Sequence, residues 1–164
     1  MLIHPFLPTY NEKSKILILG SFPSVKSRET GYYYGHPRNR FWKVLSAIYS
    51  EKVPISNEEK KELVLRNELA LWDAAAACNI RGSEDSSIKN VIPNDISLII
   101  KQSCIKKIIV NGKSAQSLYK KYSEKKTGIE AICLPSTSPA NAAWSLEKLI
   151  AEWKKFLCSS YPYG

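Results

Sequence analysis

The segment Gly20-Ser21-Phe22-Pro23-Ser24 and its sequel Tyr32-Tyr33-Tyr34-Gly35-His36-Pro37-Arg38-Asn39-Arg40-Phe41-Trp42 join a tight loop to aromatics, amides and cations. That set suits the capture of an unpaired nucleobase. A tyrosine ring stacks on a base for roughly 1–3 kcal/mol, and guanidinium groups meet phosphates. The glycine lets backbone approach a ligand closely, so Gly20, Ser21, Phe22 and Pro23 are candidate substrate contacts. The glycines do not form the dinucleotide fingerprint, and no phosphate-loop signature occurs, so nucleotide hydrolysis of the usual kind has no support.

Three adjacent rings cannot all point one way, and core packing claims at least one of Tyr32, Tyr33 and Tyr34. Asn39 stands at the threshold of a helix, where its carboxamide either caps the helix, binds a base edge or positions a water. His36 is a base, a phosphate donor or a structural residue. Arg38 and Arg40 are read as phosphate contacts, as is the polar loop of Pro135, Ser136, Thr137 and Ser138. Asn111 ends a strand and faces the same edge. Asp73 is the one acid near a strand end, with a helix cap or loop hydrogen bond as its plain role. Lys26, Lys43 and Lys113 raise a Schiff-base lyase in principle, which ranks below hydrolysis.

These residues need elements to hold them. Ile16 to Leu19, Ile105 to Val110 and Ile129 to Leu134 read as buried strands, and Leu69 to Asp73 as a strand-like segment. Helices are expected over Arg40 to Tyr49, from a Ser56/Glu59 capping box to Glu68, over Lys113 to Tyr122, and over Ala142 to Leu157. Residues 79 to 94 read as a polar surface connection. Alternation at these lengths implies one α/β domain over 1–164, a three-layer α/β/α sandwich on a short, mostly parallel four-stranded sheet. The ends at Gly20, Asn111 and Pro135 would share its carboxyl edge, where such sheets place ligands.

Lys plus Arg number 24 against 15 acids in 164 residues, a net charge of +9. A small domain with that excess is drawn to polyanions. The four cysteines lack paired metal-ligand spacing and read as apolar fillers in a reducing compartment. Neither a signal peptide nor a membrane span is evident, which makes the cytoplasm the expected location.

The stretch from Gly20 to Trp42 resembles the first motif region of the uracil-DNA glycosylase superfamily, in the form found in its hypoxanthine-DNA glycosylase branch. Leu134 to Asn141 is similar to that branch's second motif, a loop that enters the minor groove, and Leu71-Trp72-Asp73 and Asn111-Gly112 fall in family-like order. The resemblance implies a monofunctional enzyme without metal or cofactor that flips a deaminated base from double-stranded DNA and hydrolyses its glycosidic bond. It implies that Tyr34 stacks on the base, that Asn39 is catalytic and that the loop around Ser136 holds the opened duplex. Phe22 and Leu134 replace polar residues of uracil-removing branches, which favours deoxyinosine as the lesion. A mismatch-uracil glycosylase and a non-catalytic nucleic-acid-binding module are the alternatives, and a monomer is the default.

Overall fold

The computed structural model describes residues 1–158. Four strands, β2 (Ile16–Gly20), β3 (Leu69–Asp73), β6 (Lys107–Asn111) and β7 (Ile132–Leu134), form a parallel sheet in the order β3-β2-β6-β7. Leu17, Ile18 and Leu19 are fully buried, as are Ile108, Ile109 and Val110. Strands covered on both faces need such unbroken apolar runs, which is why the sequence shows no alternation here.

From β2 the chain passes through α1 (Val25–Thr30), α2 (Phe41–Ile48) and α3 (Asn57–Arg66) to β3 on one side. From β6 it passes through α5 (Lys113–Tyr122) and α6 (Glu124–Thr127) to β7 on the other. Right-handed crossovers running in opposite directions put these helices on opposite faces and leave a crevice at the carboxyl ends of β2 and β6. Gly20 and Asn111 are those ends. The last helix, α7 (Leu146–Leu157), packs on α2, with Trp153 buried edge-on to Phe41.

The capping box is present: Ser56 Oγ accepts from the Glu59 amide at 3.1 Å, and Glu59 Oε1 accepts from the Ser56 amide at 3.4 Å. The final helix starts at Leu146 rather than Ala142, because Ser145 caps it by accepting from the Lys148 amide at 3.2 Å.

Residues 79 to 94 are not a surface connection. They belong to an antiparallel hairpin, β4 (Ala75–Arg81) and β5 (Glu84–Pro93), which with β1 (Leu2–Ile3) makes a second sheet in the order β1-β4-β5. Most of β5 is exposed and its pairing with β4 shifts register, so no apolar alternation marks it in the sequence. Short helices α1 and α4 (Ile96–Lys101) also escape a periodicity reading. All four cysteines are free, but only Cys78 is buried; Cys104 and Cys158 are exposed, so the filler role holds for one of them. Among the described residues no helix is long and apolar enough to cross a membrane.

Candidate active site

The crevice is a cleft of about 150 Å³. Gly20, Ser21, Phe22, Pro23, Tyr34, His36, Asn39 and Asn111 all line it, joined by Ser136, Thr137 and Ser138 from the loop after β7. Segments more than a hundred residues apart in sequence thus share one wall. Of the three tyrosines, Tyr33 is core: its hydroxyl donates to the Leu7 carbonyl at 3.0 Å, and its own carbonyl accepts from Trp42 Nε1. Tyr32 bonds Thr9 at 2.5 Å and stacks on Trp42. Tyr34 turns to the cleft, with one ring face stacked on Phe41 at 4.0 Å between centroids.

Tyr34 has φ 55°, a left-handed conformation that a bulky residue adopts only where its surroundings impose it. Its hydroxyl is buried with no hydrogen bond among the described residues. Burial, then the Asp73 charge, raises its pKa far above the ordinary tyrosine value, so it stays a neutral phenol. Gly20 is essential to this packing. A Cβ there would lie 2.4 Å from Asp73 Oδ1 and 3.0 Å from the Tyr34 hydroxyl oxygen.

Asn39 Oδ1 accepts from the Phe41 amide at 2.9 Å and from the Thr137 hydroxyl at 2.8 Å. The backbone donor identifies that atom as oxygen, so the carboxamide orientation is determined. Asn39 therefore does hold the start of α2, through its oxygen, while its amino group makes no hydrogen bond among the described residues. Thr137 is fully buried. Its amide donates to Asn111 Oδ1 and its Oγ1 accepts from Asn111 Nδ2, both at 3.0 Å, so Asn39, Thr137 and Asn111 form one chain of bonds.

The geometry revises part of the phosphate-contact reading. Arg40 turns inward: its guanidinium donates to the carbonyls of Ser138 at 2.9 Å and Asn141 at 3.1 Å, and also to those of Thr137 and Trp144. It staples the loop after β7 because those carbonyls have no ladder to enter. Thr137 is likewise enclosed, and the Pro135 carbonyl accepts from Trp153. Arg38 remains exposed, and Ser136 and Ser138 accept from loop amides at 3.1 and 3.2 Å while their hydroxyl protons stay free among the described residues. No lysine lines the cleft among the described residues, Lys26, Lys43 and Lys113 included.

Sequence reading singled out Asp73 but missed its partner His4 and the second acid, Asp85. Asp73 is not a helix cap. It ends β3, is 3 % exposed, and its Oδ2 accepts from His4 Nε2 at 2.8 Å. An ionised carboxylate only accepts, so His4 Nε2 carries a proton, while Nδ1 lies 3.1 Å from the Phe6 amide and 3.0 Å from the Phe6 carbonyl. Asp85, on β5, lines the cleft and accepts from Ser21 Oγ at 2.9 Å. Desolvation, opposed by the Ser21 bond, raises its pKa above the usual carboxylate range. Nothing in the local sequence around His4 or Asp85 announces them, since both arrive on the second sheet.

The chain is similar to known proteins over most of its length. The model of the uracil DNA glycosylase superfamily matches residues 7–158. A hypoxanthine DNA glycosylase of Methanosarcina acetivorans is 34% identical over 156 residues, covering 94% of this chain and 97% of that protein. One from Methanosarcina barkeri is 37% identical over 112 residues, 67% of this chain and 71% of its own. A Methanosarcina acetivorans protein solved in solution by NMR as a candidate uracil DNA glycosylase superposes with a TM-score of 0.80 at 32% identity, covering 95% of this chain and 97% of its own.

Proposed function

The chain belongs to the uracil DNA glycosylase superfamily, and on that premise we propose that it removes hypoxanthine from double-stranded DNA by hydrolysing the glycosidic bond of deoxyinosine. The observation that carries this reading is the fixed carboxamide of Asn39. With Oδ1 committed to Phe41 and Thr137, the amino group is the part left to meet a ligand. It serves as a donor to the departing base and not as an acceptor that activates water.

Breaking a purine glycosidic bond leaves negative charge on the base, and a preorganised donor in a desolvated cleft stabilises that charge as it forms. The donor is held at no cost at the moment of reaction because Thr137 and Asn111 brace it from behind. Tyr34 offers the cleft an aromatic wall for the flipped base, backed by Phe41.

Asp73 accounts for the choice of base. Its Oδ2 is held by His4, and Oδ1 lies over Gly20, where the missing side chain leaves room. A carboxylate only accepts, so it pairs with the N1–H of hypoxanthine and is repelled by the lone pair on N1 of adenine. A buried polar group left unpaired by the wrong ligand supports discrimination of about 10⁴–10⁵. The weaker pairing of inosine in a duplex lowers the cost of flipping and adds to selectivity.

The test is incubation with labelled duplexes containing one deoxyinosine, deoxyuridine or deoxyadenosine, followed by alkali. Cleavage at inosine is expected, with adenine untouched. Release of uracil at a comparable rate would return the reading to a mismatch-uracil enzyme, and salt-sensitive binding without any abasic site would leave a binding module.

A further inference from the structure

Hydrolysis needs an acceptor for the proton of the attacking water, and most groups in the cleft are already committed. Both bonds to Asn39 Oδ1 come from the protein. His36 Nδ1 accepts from the Arg38 amide at 3.0 Å, which leaves Nε2 protonated and able only to donate. Tyr33 and Tyr34 are held neutral by burial. Asp73 gives one oxygen to His4 and, on the reading above, the other to N1–H of the base. Phe22 is buried against Ala75 and Cys78 and offers no polar atom.

Asp85 is different. The β4–β5 hairpin brings it to the cleft from outside the parallel sheet, and the hairpin is anchored there by Arg28, which donates to the Gly82 carbonyl, and by the Val25 amide, which donates to Ser83 Oγ. Ser21 Oγ orients Asp85 Oδ1 at 2.9 Å, while Oδ2 has no partner among the described residues and the residue is solvent-exposed. A carboxylate that is anchored at one oxygen and open at the other can hold a water.

We infer that Asp85 is a catalytic residue of this cleft, the general base that takes the proton from the attacking water. The assignment rests on the glycosylase reading above. The C1′–N9 bond breaks and its electron pair leaves on the base, which Asn39 Nδ2 steadies. A lone pair of the water forms the C1′–O bond, and the surplus water proton passes to Asp85 Oδ2. The product is an abasic sugar with a 1′-hydroxyl and a free base, protonated from solvent. The charged and titratable groups around Asp85 are Asp73, His36, Tyr33 and Tyr34 across the cleft, Cys78 on the paired strand β4 and Arg28 on α1, while Arg81 and Glu84 on its own hairpin pair with each other. Desolvation and the Asp73 charge set its titration above that of an ordinary carboxylate.

The test is the single-turnover rate of hypoxanthine release against pH for the wild-type protein, Asp85→Asn and Ser21→Ala, with binding measured on a duplex carrying 2′-fluoro-deoxyinosine, which resists cleavage. Asp85→Asn should lose about 100-fold or more in rate, bind the fluorinated duplex within twofold of wild type, and lack the fall in rate at acid pH. Ser21→Ala keeps the carboxylate but not its hydrogen bond, so its acid limb should move to higher pH. If the wild type releases hypoxanthine and Asp85→Asn does so at the same rate with the acid limb intact, the assignment is wrong. An acid limb unmoved in Ser21→Ala also counts against it. If the wild type releases no hypoxanthine, the reading of the reaction fails first and this assignment with it.

Discussion

The Thr137 hydroxyl donates to Asn39 Oδ1 at 2.8 Å, tying the loop after the last strand to the start of α2 across 98 residues of sequence. That bond leaves the Asn39 amino group, not its oxygen, for the substrate. Asn39→Asp keeps the oxygen's partners and removes the donor, so release of hypoxanthine should fall about 10²–10³-fold, as it does when a single preorganised donor is lost. Activity retained in Asn39→Asp and lost in Asn39→Ala would show instead that the oxygen serves the water.

Thr137→Val preserves the shape of the side chain and removes its hydroxyl. Asn39 Oδ1 then has one donor fewer and Asn111 Nδ2 loses its acceptor. The expected cost is about 1–3 kcal/mol of stability, read by denaturant unfolding, together with a rate loss that exceeds any loss of affinity for uncleavable duplex.

Gly20→Ala should be disproportionately harmful for one methyl group. The added carbon would meet Asp73 Oδ1 at 2.4 Å, and that carboxylate is held by His4 and cannot retreat freely. Loss of activity with a lowered melting temperature is expected, and unchanged activity would mean that the Asp73 carboxylate is not where a base is read.

Tyr34→Phe should cost nothing in stability, and can gain up to about 1 kcal/mol, because the buried hydroxyl it removes has no partner among the described residues. Tyr34→Ala should weaken binding to inosine-containing duplex by roughly 1–3 kcal/mol through lost stacking. Thermal unfolding and titration of an uncleavable duplex separate the two.

Arg38 and Arg40 should behave oppositely despite their shared chemistry. Arg38→Ala, at an exposed site, should weaken binding to all sequences and reduce the slope of log affinity against log salt by about 1. Arg40→Ala removes a side chain bonded to loop carbonyls, so it should destabilise the fold and abolish cleavage with little specific change in salt slope. Salt titrations of both variants check this.

Asp73→Asn replaces an acceptor-only group by one that can turn a donor to the base. Discrimination against adenine should drop by at least tenfold, measured as the ratio of hypoxanthine to adenine release, and a ratio left at the wild-type value would remove Asp73 from base recognition.

Much of this molecule was legible in one dimension because its signals are local. A short unbroken apolar run closed by a glycine, such as Ile16 to Leu19, fits a strand buried on both faces, and the Ser56/Glu59 pair marks a helix start through bonds three residues apart. Parallel strands end on one carboxyl edge, so the meeting of Gly20, Tyr34, Asn39 and Asn111 there could be anticipated, while the strand order could not. The hairpin could not. Residues 84 to 93 are mostly exposed and pair through backbone hydrogen bonds, which any side chains permit, so their pattern carries no period.

What only the tertiary structure decided is which polar atoms remain free. The types of Asn39, Arg40 and Thr137 suggested substrate contact for all three, yet two of them are bound to the protein itself and the third presents one end of its amide. Conversely His4, Asp73 and Asp85 gained their places from partners 21 to 69 residues away, through a second sheet. Residue type sets what a group can donate or accept, and spacing sets where an element runs. Occupancy of each lone pair and proton depends on neighbours brought in by packing, and it is occupancy that separates a chemical group from a structural one.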